Sequence, residues 1–275
     1  AGATSGGLWW DPTRKVFRLW YESGWMKHLC IAESVDGLTW TRPDCGQVPG
    51  TNRVLTDALV DSWSVFPDYA AADPYANWKL FVSLAGGVTD NRLYVSGDGY
   101  AWSHIGNAGQ SGDRSTMFYD PFRRKWVFSL RDGGPVGWGR NRSYWASETF
   151  GGQSCLWNFT ASGYAGLHPD LPRPEPWLAT DGLDRPDPTV GGRQPELYNM
   201  DAVAYESILL GMFEILHPFK GDNDDCANAG LPKITEIQFC YSRDGYHFSR
   251  PDRTAAIPAE RWGAYILAEY LKSPV

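Results

Sequence analysis

Ser34-Val35-Asp36-Gly37-Leu38-Thr39-Trp40, Ser96-Gly97-Asp98-Gly99-Tyr100-Ala101-Trp102 and Ser242-Arg243-Asp244-Gly245-Tyr246-His247-Phe248 are three copies of one pattern, S-x-D-G-x-x-aromatic. A worn fourth copy begins at Ser147 and reaches Trp157. Each clear copy follows a short alternating run: Leu29 to Ala32, Leu93 to Val95 and Ile237 to Tyr241. Ser and Asp side chains bond turn amides, Gly supplies a positive φ and the aromatic packs back on the sheet, so the pattern predicts a strand–turn–strand hairpin. Its role is structural.

Working outward, a second recurrent pair of strands lies upstream of each hairpin. Leu8-Trp9-Trp10-Asp11-Pro12 precedes Val16 to Tyr21, Ala72-Asp73-Pro74 precedes Trp78 to Ser83, and Met117-Phe118-Tyr119-Asp120-Pro121 precedes Trp126 to Leu130. The last unit uses Tyr205-Glu206-Ser207 before Ile208 to Ile215. Asp11, Asp73, Asp120 and Glu206 occupy the repeated turn and read as structural. Four strands per unit, repeating every 50 to 60 residues or so, is the period of a propeller blade. The expected fold is all-β: a single domain over 1–275, a five-bladed propeller of four-stranded antiparallel blades, incomplete at its ends. The blades are expected at about 4–44, 57–105, 112–160 and 196–250, with a partial fifth at 254–275 in which Trp262 to Tyr270 supply one or two strands. Residues 161–195, rich in Pro and Asp, read as an insertion, and long ordered loops of this kind are often functional.

Composition agrees. The chain has 275 residues, 43% hydrophobic and 21% charged, enough to bury a full core. Its 30 Gly and 19 Pro are poor in helix interiors, while 14 Trp, 14 Tyr and 12 Phe favour half-buried strands. A formal charge of −7 without a basic run argues against nucleic acid as a partner. No apolar stretch approaches the roughly 20 residues that span a bilayer, so no membrane partner is expected. The five cysteines, Cys30, Cys45, Cys155, Cys226 and Cys240, form no C-x-x-C pair, and an odd count establishes no disulfide framework. Compartment is left open, with an extracellular or periplasmic location favoured.

In a four-stranded meander the start of the first strand and the loop between the second and third lie on one face, opposite the Asp-Gly hairpins. On that face the sequence places Asp113, Arg114, Arg131, Asp132 and a glycine-rich loop with Trp138, Arg140 and Arg142. The last full unit adds Glu196, Tyr198, Asn199, Asp201 and Glu236, and the second unit Asp61, Trp63 and Asp68. Carboxylates, arginines and aromatics converging from three blades have the composition of a carbohydrate site. Glycoside hydrolysis needs two carboxyl groups across the scissile bond, one protonated and one ionised, and close carboxylates with a neighbouring arginine can supply both. Asp113, Glu196, Glu236 and Asp68 are therefore the candidate catalytic groups; Arg131, Trp138, Arg142, Tyr198, Asp201 and Trp63 are the candidate substrate contacts. Asp222 to Asp225 lacks the Gly and terminal Glu of a calcium loop, and no zinc, Walker or dinucleotide motif is present. No organic cofactor is expected; the one cation considered is a structural ion at the ring centre, anchored by His28.

The repeated hairpins, the Phe118-Tyr119-Asp120-Pro121 turn before Lys125 to Arg131, and Pro195-Glu196-Leu197-Tyr198 resemble five-bladed propeller glycoside hydrolases of the furanosidase type, the arabinanase, xylosidase and invertase-like enzymes. The resemblance covers most of the chain. It implies an acidic nucleophile or base, a second Asp that tunes pKa, and a Glu acid in a funnel at one end of the ring. By matching position it carries over Asp113 as tuner or base and Glu196 or Glu236 as acid. The family's first-blade Asp has no counterpart, because Thr4-Ser5-Gly6-Gly7 occupies that stretch. The expected function is thus cleavage of glycosidic bonds in poly- or oligosaccharides. The alternatives are a non-catalytic propeller that binds glycan or protein, and a sialidase-like hydrolase, whose Asp-box the hairpin resembles with one residue fewer.

Overall fold

The computed structural model describes residues 6–24, 26–56, 60–84, 90–132, 139–159, 166–188, 192–218 and 234–259. Fourteen strands form four antiparallel sheets, and the only helical pieces among the described residues are two short 3-10 turns. The first sheet holds β1 (Leu8–Asp11), β2 (Val16–Ser23) and β3 (His28–Ser34). The second holds β4 (Val60–Pro67), β5 (Trp78–Leu84), β6 (Asn91–Ser96) and β7 (Ser103–Ala108). The third holds β8 (Thr116–Asp120), β9 (Lys125–Asp132), β10 (Asn141–Ser147) and β11 (Glu175–Leu178). The fourth holds β12 (Glu196–Tyr205), β13 (Ile208–His217) and β14 (Ile234–Ser242). The all-β, propeller-like expectation is met.

Two details differ from the sequence reading, each for a local reason. In the first and fourth sheets the return after the Asp-Gly turn makes only isolated bridges, Glu33 with Thr41 and Cys30 with Arg53 in the first, Tyr241 with Ser249 and Ile237 with Ile257 in the fourth. Pro43 and Pro251 follow at once, and a proline has no N–H for the ladder. In the third sheet the worn copy at Ser147 lacks Asp-Gly and runs into a 3-10 turn at Gln153–Cys155. The outer strand comes instead from the segment read as an insertion: Tyr144 pairs with Glu175 and Arg142 with Leu178.

The first strand of each sheet faces its neighbours. Val65 donates its N–H to Gly6 O at 2.8 Å, Ser62 Oγ to Ser115 O at 2.7 Å, Met117 N to Ser64 Oγ at 2.8 Å and Thr116 Oγ1 to Met200 O at 3.2 Å. These bonds join the sheets in chain order. Between them lies an aromatic core in which Trp20, Trp63 and Trp157 are fully buried and Phe81 meets Phe128 edge to face. Each such side chain is worth about 1.5–3 kcal/mol of burial.

The turns behave as their chemistry requires. Asp11 Oδ1 accepts from the amides of Thr13 and Arg14, and Asp120 Oδ1 from those of Phe122 and Arg123. In the first Asp-Gly hairpin Ser34 Oγ donates to Asp36 Oδ1 at 2.8 Å, which also accepts from Leu38 N and Thr39 N, and the other two copies repeat these bonds. The amides hold the Asp36 carboxyl far below the usual carboxylate range, and Asp244 is held as low against burial by the His247 ring first and the amides next.

Two of the three hairpins lean on the preceding sheet. Arg18 Nη1 donates to Asp98 O at 2.6 Å and Trp20 Nε1 to Gly99 O at 3.2 Å. Arg123 Nη2 donates to Arg243 O at 2.9 Å and Trp177 Nε1 to Tyr246 O at 2.6 Å. A Cβ on Gly99, at φ +74°, would lie 2.6 Å from Arg18 Nη1 and 2.9 Å from Trp20, whereas one on Gly37, at φ +75°, meets only Phe17 at 3.6 Å. Both glycines hold left-handed backbone, but only Gly99 is also wedged against a neighbour. Gly37→Ala should therefore cost about 1–2 kcal/mol, and Gly99→Ala about 1–3 kcal/mol more. Urea unfolding of the two variants checks this; equal losses would refute the docking role.

Candidate functional site

Because β1, β4, β8 and β12 all start on the face opposite the turns, the charged residues at their first positions meet there. Asp61 is the second residue of β4 and is buried. Its Oδ2 accepts the backbone N–H of Arg114 at 2.5 Å, and its carbonyl accepts from Arg114 Nη1 at 3.1 Å. Arg114 stands at φ +58° in the turn before β8, which aims its amide at Asp61. Its own carbonyl accepts from Arg142 Nη1 at 2.9 Å. Asp113, beside it, pairs with Arg131 Nε at 3.1 Å, and Ser115 Oγ bridges Gly112 O and Arg131 N at 2.9 Å each. Gly112 is required: a Cβ there would overlap the Arg131 side chain.

From the fourth sheet come Asn199 and Asp201 on β12 and Glu214 on β13, where Asn199 sits opposite Glu214 in the ladder. Asn199 Nδ2 donates to Asp201 Oδ2 at 3.3 Å. Burial pulls the Arg142 guanidinium down to about 10, while the nearby Asp113 and Asp201 charges support it. Burial raises the Asp201 carboxyl despite Thr116 and Arg142 beside it, and raises that of Glu214 despite Thr235, Arg142 and Arg114. Asp61 is raised too, by burial foremost and then by the Asp113 and Glu22 charges against the Arg114 amide. Four buried polar atoms here, Asp61 Oδ1, Arg142 Nε and Nη2, and Trp63 Nε1, have no hydrogen-bond partner. Such groups are costly to leave unpaired and mark where a polar ligand or water belongs.

The structure thus brings Asp113, Arg131, Arg142 and Asp201 together, as the sequence reading expected. Other candidates fall elsewhere. Asp68 lies just beyond the far end of β4, paired with Lys79 Nζ at 3.4 Å. At about 3.3 Å per residue this puts it some 23 Å along the strand from Asp61, on the turn face. Asp68 therefore stands apart from the Asp61 cluster. Trp63 has no exposed ring face to offer a sugar, since its side chain fills the core between the first two sheets. Glu196 opens β12 but is bonded to Arg140, whose guanidinium also lies 6.0 Å above the Tyr198 ring. Glu236 pairs with His217, at 3.5 Å, in a separate pocket. His28 opens β3, two strands out from β1, so it does not anchor a central ion; among the described residues no three His, Cys, Asp or Glu side chains form a metal-binding group. Trp138 lies outside the described residues.

Glu22 and Glu214 were not singled out from sequence, although each leaves a signal. Glu214 interrupts the apolar run Ile208 to Leu216, and Glu22 ends the run Val16 to Tyr21. A carboxylate inside a buried strand is unusual without a partner or a task.

No family model and no curated protein matches the chain. Solved structures do match in fold. A β-fructofuranosidase from Schwanniomyces occidentalis complexed with fructosyl-erythritol is 12% identical, with a TM-score of 0.51, over 92% of this chain and 46% of that one. An N-acetylgalactosamine deacetylase from F. plautii in complex with blood group B trisaccharide is 15% identical, with a TM-score of 0.50, over 88% of this chain and 65% of that one. The chain thus spans between about half and two thirds of these structures. The resemblance to furanosidase-type propellers holds at the level of fold.

The raised carboxyls fix a sign for stability against pH. Folded Asp61, Asp201 and Glu214 retain protons that the unfolded chain releases above about pH 4. Their favourable contribution is complete below that pH and is lost as pH climbs through the folded-state values. Asp201→Asn should accordingly flatten the decline in urea-unfolding free energy as pH rises above about pH 4. An unchanged slope would show that burial of this carboxyl is not the cause.

Proposed function

We propose that the protein is a glycosidase that cleaves glycosidic bonds in a poly- or oligosaccharide at the cluster around Arg142. The observation that carries this reading is the meeting of Asp61, Asp113, Asp201 and Glu214 around two arginines, with buried donors and an acceptor left unpaired. Glycoside cleavage asks for one carboxyl that keeps its proton and one that is ionised. Burial supplies the first at Glu214, and Asp113, neutralised by Arg131, supplies the second. Arg142 and Arg114 then steady the charge that moves between them, and Asp61 and Asp201 shape the field. The saccharides in the two neighbours of like fold support carbohydrate as the substrate class.

The same proposal reads 1–275 as one domain whose four sheets are blades of a five-bladed ring, with 254–275 contributing to the fifth beyond the point where Ile257 bridges Ile237 of β14. Its support is a pair of vacancies at the two ends of the series. The first hairpin carries Leu38 at 86% exposure, where its counterparts in the second and fourth sheets are docked; the fourth sheet exposes Val203, Met212 and Phe239 along one face. If a fifth sheet seats there, Met212 and Phe239 in the full chain resist hydroxyl-radical labelling. Labelling at the solvent rate would reject the fifth blade.

Activity is tested by release of reducing sugar from arabinan, inulin, levan, xylan and a panel of nitrophenyl glycosides. Asp113→Asn and Glu214→Gln should each lower turnover by about 10²–10⁴-fold with little change in Tm, while Glu196→Gln lowers it less than about tenfold. Carbohydrate binding with no cleavage of any substrate would favour the non-catalytic binder. Full turnover in both acid variants would remove this cluster from the mechanism.

A further inference from the structure

β13 carries two different surfaces. Successive side chains of a strand point to opposite faces, so Glu214 turns toward Asn199 and the Arg142 cluster while Ile215 and His217 turn the other way. There they line a cavity of about 380 Å³, roofed by the 183–188 loop and shared with Glu236 and Gln238 of β14. Neither Asp113 nor Arg142 borders it.

The pocket is built and held stiff. Arg250 donates two hydrogen bonds to Asp184, at 2.7 and 2.6 Å, and one to Gln238 Oε1 at 3.0 Å. Gln238 Nε2 in turn donates to Glu236 Oε1 at 3.0 Å. Arg253 clamps the loop from outside through Asp181 and Asp184. This chain of bonds fixes Glu236 with its second oxygen, Oε2, 3.5 Å from His217 Nε2. Both ring nitrogens of His217 are buried, and neither has a hydrogen-bond partner. Opposite stand Ile215 and three prolines, Pro186, Pro188 and Pro195.

We infer that this pocket binds a neutral sugar unit, separately from the Arg142 cluster. A hydroxyl seated above Glu236 Oε2 and His217 Nε2, which lie 3.5 Å apart, can donate to the carboxylate and accept from the imidazole N–H at the same time. The proline and isoleucine wall offers apolar surface to the C–H face of the ring, the usual division of labour in a small-molecule site. The volume suits one or two sugar rings. Arg250 answers Asp184, and Asp187 and Glu236 balance Arg185 and Arg253 around the rim, so the pocket offers an anion no net positive charge. The inference does not depend on hydrolysis at the other cluster.

The test is NMR on the full chain with four probes: methyl α-L-arabinofuranoside, methyl β-D-fructofuranoside, methyl β-D-xylopyranoside and methyl β-D-galactopyranoside, with galacturonate as the anionic control. At least one neutral glycoside should shift the His217 imidazole resonances in the unmodified protein. Binding should survive Asp113→Asn and weaken at least tenfold in His217→Ala and in Glu236→Gln. Because the His217 shift is read without substitution, a variant that fails to fold does not blunt the test. Unmoved His217 resonances with all four glycosides, or preference for galacturonate, would overturn the inference. Loss of hydrolysis in Asp113→Asn with retained binding separates this site from the proposed catalytic one.

Discussion

The architecture depends on a single kind of docking: a tight Asp-Gly hairpin presses its backbone carbonyls against an arginine and a tryptophan of the preceding sheet. Arg18 and Trp20 take the second sheet's hairpin; Arg123 and Trp177 take the fourth's. Sheet-on-sheet packing is non-directional, and apolar area alone does not fix which neighbour comes next or at what rotation. Hydrogen bonds to fixed carbonyls do both, and Arg18 adds cation–π contacts to Tyr100 and Trp78 at 4.4 and 5.3 Å. With neighbours set in order, the starts of β4, β8 and β12 are brought together at the opposite face. The site is thus set partly by bonds made at the far end of the strands and partly by those of Ser62 and Ser64 that join the second and third sheets.

That face carries the cost. Arg142 is wholly buried, and the carboxylates that support it, Asp113 foremost, come from the third and fourth sheets. A buried cation is tolerated only when acids from different chain segments arrive to answer it. The same enclosure keeps the Asp201 and Glu214 protons in place. Stability is spent on holding groups in the states chemistry needs.

Much of this was legible in the chain. The S-x-D-G-x-x-aromatic copies and the Asp-Pro turns identify hairpins by local chemistry, and the structure realises each with the expected side chain to amide bonds. Asp113, Arg131, Arg142 and Asp201 were legible because strand direction sorts residues to one face. What was not legible depends on distance along a strand or on partners remote in sequence. Asp68 shares its strand with Asp61, and only the strand's length separates a site residue from a turn residue. Trp63 is an aromatic near the site whose burial is decided by the first sheet. Glu214 gains its role from Arg142, more than 70 positions away, and a single sequence records no such pairing.

Asp61 is held by the main-chain amide of Arg114 as well as by its side chain, at a left-handed residue whose conformation would suit Asn or Gly equally well. The frame and the charge at this point are therefore separable under drift. Replacing the guanidinium would alter the local potential while the strand junction kept its anchor, so the charge at this point can change without first losing the scaffold.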